Sequence, residues 1–258
     1  IAQIDSLILS SEVPAPAVTI CPPLVIKSGF ANYTDLFLRA RDSKFKNDIN
    51  LTVKEQNYMA AMIQGCSNEA AMQIVEYTKN RSEKNIVKLL TEASFDIDDI
   101  FLHCEYKEVK YDCKKFLNRT LTDGGYCFSF NMQGFDAIFN QGVLSRDFDS
   151  FKKKEIVTSL DENQEIILND NKNVTEHWSL EKGYVDGSDR IPYRAIPTTD
   201  VRFLVQLNNS DTYEMCITRR EGFKVYYHLT SDTPSFFHDY DFLELGTKSI
   251  QTISVVKF

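Results

Sequence analysis

Leu121-Thr122-Asp123-Gly124-Gly125-Tyr126-Cys127-Phe128-Ser129-Phe130-Asn131 is the stretch whose reading decides the fold. Asp123-Gly124-Gly125 is a tight-turn signal. Tyr126, Phe128 and Phe130 then recur at every second position, so the run reads as a new strand with its aromatics on one face. A run of similar character, Pro16-Ala17-Val18-Thr19-Ile20-Cys21-Pro22, lies near the start of the chain. Its Val18, Thr19 and Ile20 are β-branched and favour an extended backbone, while the flanking prolines lack an N–H and limit how far the strand runs. Each strand carries a cysteine at a turn boundary, Cys21 in one and Cys127 in the other.

Between the two runs the pattern is helical. From Lys54 to Lys79 the residues Tyr58, Met59, Met62, Ile63, Ala70, Ala71, Ile74 and Val75 recur at three- and four-residue steps, with Cys66 on the same face. Ser82 reads as the N-cap of a second helix carrying Ile86, Val87, Leu89 and Leu90, and Asp96 as the cap of a third that runs into Cys104. The region from about Ala31 to Phe116 is thus a helical insertion between two strands.

After Asn131 the character is mixed. Phe148, Phe151, Ile156 and Val157 anchor a short helix or strand, Lys152-Lys153-Lys154 is a solvated run, and Asp161 to Thr175 is a polar, Asn-rich excursion. Val201 to Leu207 and Tyr213 to Ile217 alternate as strands around Asn208-Asn209-Ser210-Asp211, a hairpin signal. Phe223 to Leu229 is another strand, and Ile250 begins one more.

The 258 residues suit one large domain or two ordinary ones, and the 43% hydrophobic content with 12% aromatics is ample for a core. A formal charge of −8 argues against nucleic acid as a partner, which needs a basic face. No window approaches the length of apolar sequence that crosses a bilayer as a helix. The chain starts at Ile1 without a basic n-region, which reads as an excised or processed piece.

No nucleophile elbow, His-Glu-x-x-His, phosphate loop or dinucleotide fingerprint occurs, and no cysteine falls in a zinc spacing, so no catalytic residue, metal ligand or cofactor is expected. His103, His177, His228 and His238 are scattered and read as ordinary surface or core residues. Asp96, Asp98 and Asp99 cluster at an expected helix start. Their plain role is capping and dipole complementation; a sharper one is half of a carboxylate pair that shares a proton and senses protons or cations. Asn-x-Ser/Thr sequons at Asn32, Asn50, Asn80, Asn118, Asn173 and Asn208 support a secretory route, with Asn118 the least favourable because it abuts the Asp-Gly-Gly turn. Six cysteines allow many pairings, and spacing settles none of them.

Together these segments resemble the extracellular domain of the degenerin/epithelial sodium channel superfamily, most closely its insect pickpocket branch. The Pro-Ala-Val-Thr-Ile-Cys run is similar to the strand that follows the family's first transmembrane helix, and Tyr126 to Phe130 to the return strand after its helical finger. Ile97-Asp98-Asp99-Ile100-Phe101-Leu102-His103-Cys104, followed by Cys113, resembles the end of that finger. Gly222-Phe223-Lys224-Val225-Tyr226-Tyr227-His228 with Asp232-Thr233-Pro234 resembles the family's Gly-x-Lys-Val-x-x-His strand and acidic Pro turn, and Trp178-Ser179-Leu180-Glu181-Lys182-Gly183-Tyr184 a pickpocket linker. Two positions depart from the pattern: Ala15 replaces an aromatic, which predicts looser packing of the first strand, and Thr233 replaces a carboxylate.

The resemblance implies an α+β, disulfide-stapled extracellular domain, incomplete here, with a β-sheet palm, a β-ball and an inserted helical finger. Its parts fall at 1–30 (post-membrane linker and first palm strand), 31–120 (finger), 121–135 (palm return strand), 136–200 (loop-rich connector), 201–247 (β-ball-like strands) and 248–258 (start of a further palm strand). It implies Cys21 bonded to Cys127 and Cys104 to Cys113, leaving Cys66 and Cys216 unassigned. It further implies a plasma-membrane sodium channel subunit that couples an external stimulus to a pore. The subunit would assemble as a homo- or hetero-trimer, pass sodium ions in the complete channel and be held in the membrane by flanking helices. A secreted adhesion or binding module fits the cysteines and sequons but not the ordered motifs, and a secreted hydrolase lacks a recognisable set of catalytic groups.

Overall fold

The structure is a computed structural model. It describes residues 15–24, 26–27, 29–32, 34–39, 51–65, 86–106, 108–122, 125–134, 138, 157–160, 166–168, 178–179, 183–184, 201–207, 222–235 and 240–250.

The two cysteine-bearing runs are neighbours in one antiparallel sheet. β1 (Ala17–Cys21) sits at its centre, with β5 (Gly125–Phe130) on one side and β11 (Gly222–His228) on the other. β4 (Asn118–Thr122) and β12 (Asp241–Glu244) form the edges, giving the order β12-β11-β1-β5-β4. β4 and β5 form the hairpin that Asp123-Gly124-Gly125 announces, with Thr122 opposite Gly125. The disulfide Cys21–Cys127 spans 106 residues of sequence. Gly222 is required where β11 meets β12, because a Cβ there would lie 2.2 Å from the Leu243 carbonyl oxygen.

Alternation along these strands gives the sheet two unlike faces. Ile20, Phe128, Phe130, Tyr126, Phe223 and Val225 belong to the main apolar core, whereas Cys21, Cys127 and Tyr226 form a separate small cluster. The sequence puts the aromatics of β5 on one face, and all six residues of the strand are buried. The additional burial comes from the opposite face, where Cys127 is bridged to Cys21 and Ser129 hydrogen-bonds Thr19.

A second sheet, of three strands, packs on the apolar face. It comprises β2 (Phe101–Tyr106), β3 (Val109–Tyr111) and β10 (Val201–Val205). Phe101 meets Phe128 edge-on at 5.2 Å between ring centroids, and Phe116 lies 4.7 Å from Phe130. Phe203 closes the cluster at 5.9 Å from Phe101 and 6.0 Å from Phe130. Each such ring contributes on the order of 1.5–3 kcal/mol by leaving water, which makes this the main cohesive layer between the sheets.

The helices described are 34–39, Val53–Gly65, Ile86–Ala93 and two single turns, Ile97–Ile100 and Cys113–Phe116. Asp96 stands at the N-cap of the first single turn, and Asp112 caps the second by accepting from the Lys114 N–H. The expected third helix does not reach Cys104: it ends at Ile100, and Phe101–Tyr106 is strand. A continued helix would satisfy only its own backbone. As a strand the segment bonds both β10 and β3 and drives Phe101, Cys104 and Tyr106 into the core. A bulge opposite Leu204 and Val205 turns Leu102 outward, which breaks the simple alternation. The Cys104–Cys113 disulfide closes this turn of chain.

The expected grouping of 201–247 also divides differently. β10 pairs with β2 in the second sheet, while β11 and β12 belong to the first sheet beside β1. The expected hairpin partner, Tyr213 to Ile217, lies outside the described residues, as do Cys66, Cys216, Ser82 and Phe258. β6 (Val157–Leu160) and β7 (Ile166–Leu168) form a small hairpin, so the polar excursion contains a strand, and β8 (Trp178–Ser179) pairs with β9 (Gly183–Tyr184). Ala15, expected to loosen the first strand, is buried, and its carbonyl accepts the Asn131 amide at 2.8 Å. Asn131 adopts φ 58 at the end of β5, a left-handed conformation that Asn tolerates, and so ties the end of β5 to the start of β1.

Candidate functional site

The helical insertion meets the first sheet at the C-terminal end of helix Ile86–Ala93. Carbonyls in a last helical turn lack intrahelical partners and carry the negative end of the helix dipole. Here they are taken by groups from the strands on either side. The Lys27 N–H, just past β1, donates to the Ala93 carbonyl at 2.9 Å. Arg119 of β4 donates through one guanidinium nitrogen to the Thr91 carbonyl at 2.8 Å and to the Ser94 hydroxyl. Its other terminal nitrogen lies 3.4 Å from the Asp96 carboxylate.

The same guanidinium lies 4.6 Å over the Tyr126 ring. Because the Thr91 hydroxyl already donates to the Val87 carbonyl at 2.7 Å, the Tyr126 hydroxyl is the donor in its 2.7 Å bond to Thr91. Burial pushes the Tyr126 phenol up, outweighing the Thr91 hydrogen bond and the Arg119 charge, so this donor keeps its proton at neutral pH. Helix Ile86–Ala93, β4 and β5 are thus joined through one cation, one ring and one hydroxyl pair.

The acidic cluster lies at the rim of this junction, and its carboxylates are divided among three cations. Asp96 faces Arg119, Asp98 pairs with Lys114, and Asp99 lies 2.6 Å from Lys27. Asp99 also accepts the Asp96 N–H at 2.7 Å, as a capping residue does. Burial raises the Asp99 carboxyl, but Lys27 and the Asp96 N–H outweigh it and hold it below its ordinary value. A carboxylate held this way stays ionised at neutral pH.

A second polar pairing ties helix 34–39 to helix Val53–Gly65. Arg39 reaches Glu55 at 2.5 Å and Asp35 at 2.9 Å. Glu55 also receives the Thr52 N–H at 2.7 Å while the Thr52 hydroxyl accepts the Glu55 N–H, a reciprocal cap legible as Thr-x-x-Glu in the sequence. The Arg39 hydrogen bond, then the Thr52 groups, lower the Glu55 carboxyl to about 2.

Of the remaining expected site residues, the structure brings together Cys21 with Cys127 and Cys104 with Cys113. His103 pairs with Glu105 at 3.1 Å, and His228 is buried beside Thr19; His177 and His238 lie outside the described residues. Asn32 is exposed and Asn118 half-buried on edge strand β4, while Asn50, Asn80, Asn173 and Asn208 lie outside the described residues. Among the described residues no group of side chains could hold a metal ion, and no helix is long and apolar enough to cross a membrane. Sequence reading missed Arg119, Thr91 and the Tyr126 hydroxyl. No local pattern marks them, since Arg119 lies 28 residues from Thr91.

The described residues form a mixed helix-and-sheet fold with two disulfides. The family profile of the amiloride-sensitive sodium channel matches residues 1–258, and the chain belongs to that family, the degenerin/epithelial sodium channels of the plasma membrane. It is therefore a sodium channel subunit. No curated protein matches the chain.

Proposed function

We propose that residues 1–258 form the extracellular region of a pickpocket-type subunit, which passes an external stimulus from the helical insertion to a pore built elsewhere in the subunit. The Arg119 junction carries the reading. It is a connection between helix Ile86–Ala93 and the sheet that holds Cys21–Cys127, and movement of the helix acts on β4 and β5 through it. The insertion is the finger and the five-stranded sheet the palm. The complete subunit is a glycoprotein that assembles as a trimer with like or related subunits and conducts sodium.

Coupling of this kind needs stiffness more than chemistry. The sheet supplies it through the 106-residue cross-link and the buried Thr19 contacts, and the aromatic layer under Phe128 and Phe130 fixes the second sheet against it. The test is to express the complete subunit in cells and record current under mechanical, chemical and ionic stimuli. Sodium-selective, amiloride-blocked current is expected; no current from a surface-delivered subunit under any stimulus or co-expression overturns the proposal.

A further inference from the structure

Asn32 stands just before helix 34–39 in the sequon Asn32-Tyr33-Thr34, with both Asn32 and Thr34 exposed. Its side chain divides its two ends between different tasks. Oδ1 accepts the Asp35 N–H at 3.1 Å and the Asn32 carbonyl accepts from Leu36, which starts the helix. The Nδ2 amide has no hydrogen-bond partner among the described residues. Asn118 offers the contrast: its sequon hydroxyl belongs to Thr120, which is 1% exposed within the β4–β5 hairpin. Closure of that hairpin withdraws Thr120 from any enzyme, whereas folding leaves the Asn32 sequon open.

We infer that Asn32 is a glycan-bearing residue that keeps its helix cap when modified. Attachment uses a lipid-pyrophosphate-linked oligosaccharide. A bond forms between Asn32 Nδ2 and the first sugar carbon, the bond from that carbon to the pyrophosphate oxygen breaks, the pyrophosphate lipid leaves with the electron pair, and Nδ2 loses one proton. Oδ1 is not consumed and continues to accept from Asp35. The glycan therefore occupies the solvent side of the turn into helix 34–39, and this face stays clear of neighbouring subunits. The inference rests on the extracellular reading above.

The complete subunit, expressed in glycosylating cells, is treated with a peptide amidase that removes N-glycans in heavy-oxygen water, and its peptides are weighed. Asn32 is expected to return as heavy-labelled Asp. Asn32→Asp keeps an excellent cap and Thr34→Ala keeps Asn32 itself; each is expected to lose one glycan's mobility shift while surface delivery stays within about twofold. Glycans on other sequons with Asn32 unlabelled overturn this inference alone. A surface-delivered chain with no glycan anywhere overturns it together with the extracellular reading.

Discussion

The Thr19 hydroxyl joins three strands: it lies 2.8 Å from His228 Nε2 on β11 and 2.7 Å from Ser129 Oγ on β5. His228 Nδ1 is 2.9 Å from the Leu229 carbonyl, which can only accept, so Nδ1 carries a proton. With the imidazole neutral, Thr19 donates to Nε2 and Ser129 donates to Thr19. The sheet face opposite the aromatic core therefore has a hydrogen-bonded chain beside the Cys21–Cys127 bridge, and its three members are nearly or fully buried.

Thr19→Val keeps the shape and strand preference of the side chain but removes both hydrogen bonds, leaving His228 Nε2 and the Ser129 hydroxyl without their Thr19 partner. The expected cost is about 1–3 kcal/mol, while Thr19→Ser, which retains the hydroxyl, costs less than that. Denaturant unfolding followed by tryptophan and tyrosine fluorescence measures the difference. A valine variant as stable as the parent would mean that the hydroxyl chain contributes no net stability.

Glu55 makes stability depend on acid. Its carboxyl is lowered from 4.5 to about 2 in the fold, first by the Arg39 hydrogen bond. A depressed folded value means that its contribution is fully present above the unfolded value and is lost as pH falls through the folded one. Between about pH 4.5 and pH 2 the parent protein should lose stability more steeply than Glu55→Gln, whose amide does not titrate. Equal slopes of unfolding midpoint against pH for the two proteins would rule out this role for the Arg39–Glu55 pair.

The Cys21–Cys127 bridge closes a much longer loop than Cys104–Cys113, with separations of 106 and 9 residues. On the chain-entropy model the long bridge contributes roughly 4–5 kcal/mol and the short one somewhat under about 3, so Cys21→Ala/Cys127→Ala should destabilise more than Cys104→Ala/Cys113→Ala. Non-reducing peptide mapping checks the pairing first. Recovery of Cys21 linked to any other cysteine would remove the basis of the comparison.

The parts of the fold that sequence reading anticipates are those whose signals are local. The β-branched Val18-Thr19-Ile20 and the Asp123-Gly124-Gly125 turn announce β1 and the β4–β5 hairpin, because propensity and turn chemistry act within a few residues. Phe101–Tyr106 defeats the same reasoning. Its preceding turn is capped like a helix, and pairing with β3 on one side and with β10, about a hundred residues later, on the other makes it a strand. The Asp cluster looks like a unit in sequence, yet its members are split among Lys27, Lys114 and Arg119, which approach from three different segments. Both outcomes depend in part on partners distant in the chain, β10 for the strand and Lys27 for Asp99, which no local pattern announces.

Arg119 provides the most direct test of coupling. Lys at this position keeps the charge but loses the planar fork that holds the Thr91 carbonyl, the Ser94 hydroxyl and the Tyr126 ring face together, and Met keeps only the stem. Loss of a charge-assisted hydrogen bond of this kind costs about 1.5–3 kcal/mol, so Arg119→Met should be the less stable of the two. Tyr126→Phe and Thr91→Val remove one shared hydroxyl bond from opposite ends, and a double-mutant cycle should find a coupling of about 0.5–1.5 kcal/mol between them. In the complete subunit, Arg119→Lys should change the stimulus dependence of the current at unchanged surface amount, because the helix would be less firmly bolted to β4. If current and stimulus dependence match the parent in both Arg119 variants while stability falls, the junction only holds the fold together and the stimulus reaches the sheet by another route.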